Sequence, residues 1–329
     1  MKPFAYAKQV RDTLRRVADR TGRSFAGAVL SFLRVYVLCH ANVSEFEIIP
    51  LYDYSPHVLR KQYLTYRRCQ RVDRVLSAGA TEEDYMSYGR KETFNRLFAE
   101  FIHRDWLYLP DSTPEQVRSF LERNDKFLAK AILSTCGEDI FLYRRGEFDP
   151  ETFAREHAGE SYVLEAFIEQ HPALAEINPS SVNTVRIVTA RVGDQVGFIG
   201  GCLRCGGAGA YVDNFHHGGV AFNLDMDSGI VTGLGKMLDG SRYLRHPATG
   251  YVVPGFQVPH WELIRDSIRR AALRIPHVGY VGWDIAVTAE GMELIEGNVD
   301  LPDNTLIQID KPDAYERIRR FAASCGVTL

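Results

Sequence analysis

The stretch GWDIAVTAEGMELIEGNVD, residues 282–300, reads as a strand, a tight turn and a second strand, yet it sets Asp284 and Glu296 among Ile, Val and Leu. Side chains alternate faces along a strand, so the pairing register decides whether those carboxylates meet. A three-residue loop of Ala289, Glu290 and Gly291, with the glycine in a left-handed conformation, is a favoured closure. It pairs Thr288 with Met292, and counting back sets Asp284 opposite Glu296, with Asn298 sharing that face. Directly opposed β-carbons lie about 5 Å apart, where two like charges repel. A positive group must sit between them. Mg²⁺ meets the need economically, since it takes oxygen ligands, is commonly held by one or two carboxylates, and fills its other positions with water and phosphate oxygens. Acids that reach solvent at the open end of the hairpin, or that pair with Arg or Lys, are the alternative.

The rest of the chain bounds that reading. Its 329 residues, 45% hydrophobic and 25% charged, suffice to bury a large core in one domain or two. A net charge of -3 gives no global reason to expect nucleic acid or anionic lipid as the partner. The first residues lack the pattern of a secretory signal, and the longest apolar stretch, AGAVLSFLRVYVLCHA, is interrupted by Arg34, so it reads as a core helix without stable membrane insertion. Six cysteines without disulfide density point to a reducing cytoplasm. Cys202 and Cys205 form a C-x-x-C with no second pair at zinc-ligand spacing, and read as core strand residues.

Up to about residue 88 the pattern is helical and rich in Arg, as in KQVRDTLRRVADR and FAGAVLSFLRVYVLCH. The interspersed acids make a solvated face the simpler reading, with a binding face for an acidic partner as the alternative. Residues 89–160 hold helices, including TPEQVRSFLERN with its Thr cap, and then a strand-like KFLAKAIL. Residues 161–329 are strand-rich, with SYVLEAFIE, SVNTVRIVTARV, QVGFIGGCLRC and GGVAFNLDMD before the hairpin, and two amphipathic helices, WELIRDSIRRAALRI and AYERIRRFAAS. The class is α+β, with mostly antiparallel strands.

D-(x)11-E-x-N on a terminal hairpin resembles the magnesium cluster of the ATP-grasp superfamily, and VGWDIAVTAEGMELIEGNVD is similar to its sugar-transfer-associated branch, related to α-L-glutamate ligases. The resemblance runs from about Tyr88 to Gln308, carried also by EAFIEQHPAL, NPSSVNTVRIVT and VDNFHHGGVAFNLDMDSG. It implies an ATP-grasp fold with a helical N-terminal region, ATP and Mg²⁺ as cofactors with Mn²⁺ able to substitute, and Asp284, Glu296 and Asn298 as metal ligands. Two lysines are implied on the nucleotide phosphates, Lys91 opening a helix and Lys130 on a lid strand. The lid loop after Lys130 departs from the family, with Ala131 in place of Pro and Gly137 as its one glycine. Glu165 is implied on the adenine amine and the backbone of Ile168 on a ring nitrogen.

Arg186, inside a β-branched strand, should meet an anion because an unpaired buried guanidinium is costly. The resemblance favours the transferred phosphate, with a structural carboxylate as the alternative. Asn183, at odd spacing from Arg186, should face the other way. Asp213 and Asn214, in the run that closes on Gly218 and Gly219, are candidates for phosphate or acceptor. The activity implied is ATP-dependent carboxylate-amine ligation through an acylphosphate, in polysaccharide biosynthesis or on another sugar-linked or peptide-like acceptor. Its partners would be small-molecule carboxylate and amine substrates, with no nucleic acid. A kinase on a hydroxyl acceptor and a non-catalytic nucleotide-binding module remain open.

Overall fold

The computed structural model describes residues 3–49, 54–132, 140–157, 159–207, 209, 215, 218–299, 302, 305–308 and 311–329, with side chains from residue 7 onward. Gly137, Asp213 and Asn214 lie outside the described residues, as do His216 and His217.

The chain opens with α1 (Pro3–Thr21), α2 (Phe25–Cys39), α3 (Val43–Phe46) and α4 (Pro56–Lys61). Ser24, Asn42 and Ser55 cap the last three by accepting from first-turn N–H groups, which stabilises each by about 1 kcal/mol. These helices bury a core of their own around Val17, Ala28, Val35, Phe46 and Leu59. After the break at Tyr63 and Leu64, α5 (Tyr66–Leu76) leaves that core and packs Cys69 and Val72 on the larger sheet.

Next come α6 (Glu82–Gly89), α7 (Lys91–Leu97), β1 (Trp106–Tyr108), α8 (Pro114–Arg123), β2 (Lys126–Ala131), β3 (Ile140–Arg144), α9 (Pro150–His157) and β4 (Tyr162–Ala166). The strands form an antiparallel sheet in the order β1-β4-β2-β3, with α8 and α9 packed on it around Phe120, Phe127 and Phe153. Then follow α10 (Pro172–Ile177), β5 (Thr184–Val192), β6 (Gln195–Cys205), β7 (Val220–Leu224), β8 (Val231–Lys236), β9 (Arg242–Tyr243), α11 (Trp261–Ala272), β10 (Tyr280–Val287), β11 (Met292–Asn298) and α12 (Ala314–Ser324). Their seven strands form the larger sheet, ordered β11-β10-β5-β6-β7-β8-β9 and antiparallel throughout. The α+β class therefore holds.

Alternation divides the larger sheet. Odd positions such as Ile187, Trp283 and Ile285 pack with Tyr88, Phe94, Phe98 and the α11 residues Ile264 and Ile268. Even positions Val188, Ala190 and Tyr280 lie under α5 and α12. Further along that face the even positions turn polar while staying buried, at Thr184, Arg186 and Asp284.

The last hairpin differs from expectation at its turn. Val287, not Thr288, pairs with Met292, so the loop has four residues. Thr288 closes it by donating its N–H to the Gly291 carbonyl at 3.0 Å and accepting the Gly291 N–H on Oγ1 at 3.2 Å, while Gly291 takes φ 159° instead of a left-handed helical value. A bulge at Ile295 then restores the count: Ile285 pairs with Leu294, but Asp284 pairs with Glu296. The carboxylates do oppose each other. They reach that position through one extra residue in the turn and one in β11.

Candidate active site

Asp284 is 3% exposed and stands opposite Arg186 on β5 as directly as it stands opposite Glu296 on β11. The Arg186 guanidinium takes both carboxylate oxygens, Nε donating to Oδ1 and Nη2 to Oδ2 at 2.8 Å, while Nη1 donates to the Pro302 carbonyl at 2.8 Å. Arg204 of β6 adds Nη2 at 3.1 Å from Oδ2, and its guanidinium is steadied on Thr184 Oγ1. The anion that Arg186 meets is Asp284. A guanidinium enclosed within a strand needs a permanent counter-charge, and the neighbouring strand supplies one in register. Gly282 makes room for this packing, because a β-carbon there would fall 2.3 Å from the Pro302 carbonyl oxygen.

The two acids titrate in opposite directions. Burial would raise Asp284, but Arg186 and Arg204 overcome it and hold this carboxyl well below the usual range. Glu296 is raised, first by desolvation and then by the charge and hydrogen bond of Asp284, although its side chain is exposed to solvent. Asn298 donates Nδ2 to Glu296 Oε1 at 3.2 Å. The metal trio expected from the sequence is thus brought together.

Lys91 is the first residue of α7 and lies within electrostatic reach of Glu296, Lys130 and Glu165. Burial lowers its pKa and the charge of Lys130 adds to this, opposed by the acids Glu296 and Glu165. Its position follows from aromatic packing behind the hairpin. Gly297 lacks a side chain where Tyr88 lies, and a β-carbon there would sit 2.6 Å from the Tyr88 ring. Tyr88 in turn stacks among Phe94, Phe98 and Trp283, which fixes the junction of α6 and α7.

Lys130, on β2, is buried and donates to Glu165 Oε2 at 2.7 Å. The Glu165 carboxylate also takes Arg104 Nε at 3.0 Å and Asn95 Nδ2 at 3.1 Å. Burial pushes Glu165 up, but Arg104 and Lys130 hold it well below the usual carboxylate range. It is therefore the counter-ion of a cationic pair, with little acceptor capacity left for an adenine amine. Arg104 reaches on to β11, donating Nη1 to the Leu294 carbonyl at 2.8 Å and pairing with Glu293 Oε2 at 3.3 Å. It joins the smaller sheet to the edge of the larger one.

Past β4 the chain runs without regular structure through Ile168, half-buried, whose backbone groups have no hydrogen-bond partner among the described residues. Lys126 covers the face of Phe167 at 3.2 Å. Gln170 anchors this segment by accepting from Asn183 Nδ2 at 2.9 Å and donating to the carbonyls of Asn178 and Ser181. Asn183 is fully buried, with Nδ2 also donating to the Leu174 and Asn178 carbonyls. It holds the hinge and faces away from Arg186, as its spacing requires.

A model of the sugar-transfer-associated ATP-grasp family matches residues 152–322, more than half of the chain. The chain belongs to this family. No curated protein matches the sequence. Among solved structures, this ATP-grasp chain is similar to the ADP complex of PurK, N5-carboxyaminoimidazole ribonucleotide synthetase, at 11% identity and TM-score 0.48, over 80% of this chain and 58% of that one. D-alanyl-alanine synthetase A from Vibrio cholerae matches at 11% identity and TM-score 0.46, over 74% and 66%. The ATP-grasp ligase PsnB with Mg and ADP matches at 13% identity and TM-score 0.43, over 77% and 68%. The chain spans 58% of the PurK structure's length.

The family's magnesium can be tested on the donors present. Among the described residues no group of three or more His, Cys, Asp and Glu side chains is arranged to hold a metal, and this cluster has two carboxyls and an amide. Three of the four lone-pair sites of Asp284 accept from the two arginines, and the remaining capacity faces Glu296. Glu296, raised by desolvation and by the neighbouring Asp284, and Asn298 with its amide oxygen complete a set of hard oxygen donors. These residues fit an oxygen-ligated divalent ion held mainly by Glu296 and Asn298, with Asp284 supporting. Cys202 and Cys205 stand on opposite faces of β6, in separate cores, which rules out a shared metal or disulfide role and leaves them as core residues.

Arg204 and Arg104 were missed in the sequence. Arg204 carried the signal that singled out Arg186, a guanidinium within a buried strand. Arg104 carried none, since its partners lie 61 and 189 positions away.

Proposed function

We propose that the chain is an ATP-dependent carboxylate-amine ligase that works through an acylphosphate. One observation supports this above the others: Lys91, at a helix start, lies within electrostatic reach of both Glu296 and Lys130, on a lid strand, so a nucleotide cleft between the two sheets would bring both lysines to the Asp284, Glu296 and Asn298 cluster. ATP would lie between the two sheets, its adenine edge on the free backbone of Ile168 and its phosphates between the lysines. Gly137 would belong to the loop covering those phosphates, and Asp213 and Asn214 to the acceptor side.

Mg²⁺ at Glu296 and Asn298, supported by Asp284, would supply charge neutralisation at the γ-phosphoryl oxygens. A substrate carboxylate oxygen attacks the γ-phosphorus, the bond to the bridging oxygen breaks, and ADP leaves. An amine nitrogen then attacks the acyl carbon, phosphate leaves and the amine gives up a proton. Lys91 and Lys130 hold the phosphates in line and balance developing charge, so positioning and electrostatics supply the rate. Glu165 aims Lys130, and Arg104 holds Glu165 in place. Arg186 and Arg204 act one layer down, keeping Asp284 ionised.

Candidate carboxylates, amino acids and sugar acids among them, screened for ADP release in the presence of amines test this reading. Free phosphate released together with an amide product is expected. A stable phosphoester would assign the chain as a kinase, and no acceptor-dependent ADP release would leave a binding module.

A further inference from the structure

Between Pro3 and Cys39 the chain carries seven basic side chains and two acidic ones, in a protein whose net charge is -3. The same segment exposes apolar surface. α2 buries Ala28, Val35 and Cys39 against its own small core, while Leu30, Leu33 and Val37 on the opposite side are 68%, 51% and 71% exposed. Spacings of three and four residues align them as one stripe. Phe25 and Tyr36 are exposed beside it. At the Phe25 end, Arg11, Arg15 and Arg23 surround a shallow depression, with Asp19 the one acid there. Arg34 projects from the exposed side of α2 itself.

We propose that α1 and α2 dock this face on an anionic membrane surface, lying along it without crossing. Apolar side chains in a row beside guanidinium groups match the two layers of such a surface, the acyl boundary and the phosphates above it. No single helix among the described residues is long and apolar enough to cross, and α1 and α2 bend by 107° at their junction. With 15 residues, α2 is about 22 Å long, short of a hydrocarbon core of about 30 Å. The face belongs to a bundle whose core is separate from those of both sheets.

The test is co-sedimentation of the full chain with vesicles of phosphatidylcholine alone or mixed with phosphatidylglycerol, at low and raised salt. Binding to the phosphatidylglycerol vesicles is expected, weakened by salt and reduced about tenfold or more by Leu30→Glu with Val37→Glu, and separately by Arg11→Gln with Arg15→Gln. All four side chains are exposed, so unchanged thermal unfolding confirms that the variants fold. Absence of binding, or equal binding to neutral vesicles, overturns the proposal. So does a wild-type dimer in solution that Leu30→Glu with Val37→Glu dissociates, because a second copy then covers the stripe.

Discussion

Asp284 and Glu296 face each other across the last hairpin, and the guanidinium groups of Arg186 and Arg204 pair with Asp284. The asymmetry orders their protons. Asp284 stays ionised far into acid, while Glu296 keeps its proton above the ordinary carboxylate range and shares it with its neighbour. Mg²⁺ binding at Glu296 should displace that proton. Calorimetric titration in buffers of different ionisation enthalpy should show this release, and Glu296→Gln should abolish it.

Arg186→Met should leave Asp284 with Arg204 alone beside a second acid. Removing one partner of a buried ion pair costs about 3–5 kcal/mol, and denaturant unfolding should show a loss of that order. Arg186→Lys keeps the charge but loses the fork that takes both oxygens, so it should restore only part of the stability.

Arg104→Met should act on two levels, since Arg104 pairs with buried Glu165 and Glu293. Stability should fall by about 3 kcal/mol or more. Nucleotide affinity should fall as well, because Lys130 shares Glu165 with Arg104.

The acid limb of stability has a defined sign. Asp284 and Glu165 have folded pKa values below their unfolded ones, so each contributes stability that is complete above the ordinary carboxylate range and is lost as pH falls. Glu296, raised, works oppositely and weakens the fold as pH rises through its own titration. Urea unfolding from neutral pH down to about pH 3 should show a falling midpoint, and Glu165→Gln should flatten that fall while lowering the neutral plateau.

Gly297→Ala should force the Tyr88 ring away and disturb the start of α7 that carries Lys91. Overpacking of this kind costs about 1–3 kcal/mol. The informative readout is a loss of nucleotide affinity greater than that of Gly326→Ala, at an exposed turn remote from the cleft.

Strand alternation made much of this legible. The last hairpin, the β5 guanidinium and the lysine at a helix start could be placed from residue type and spacing. The identity of Arg186's partner could not, because a buried cation announces a need for an anion without saying which strand supplies it. The turn register failed for a local reason: the Thr288 hydroxyl favoured a four-residue loop, and the Ile295 bulge absorbed the difference. β1, β3 and β8 escaped because short or Gly-containing strands with half-exposed faces give little alternation. Arg104 escaped because its meaning lies entirely in contacts distant along the chain.

Equilibrium binding of ATP to the wild-type chain and to Glu296→Gln, with and without Mg²⁺ and with no acceptor present, bears most directly on the cleft as the nucleotide site. Binding of ATP to the wild type should tighten at least about tenfold when Mg²⁺ is added, and Glu296→Gln should lose most of that gain while remaining folded. ATP affinity indifferent to Mg²⁺, or a Mg²⁺ gain unchanged in Glu296→Gln, would contradict the assignment of the hairpin acids to a nucleotide-bound cation.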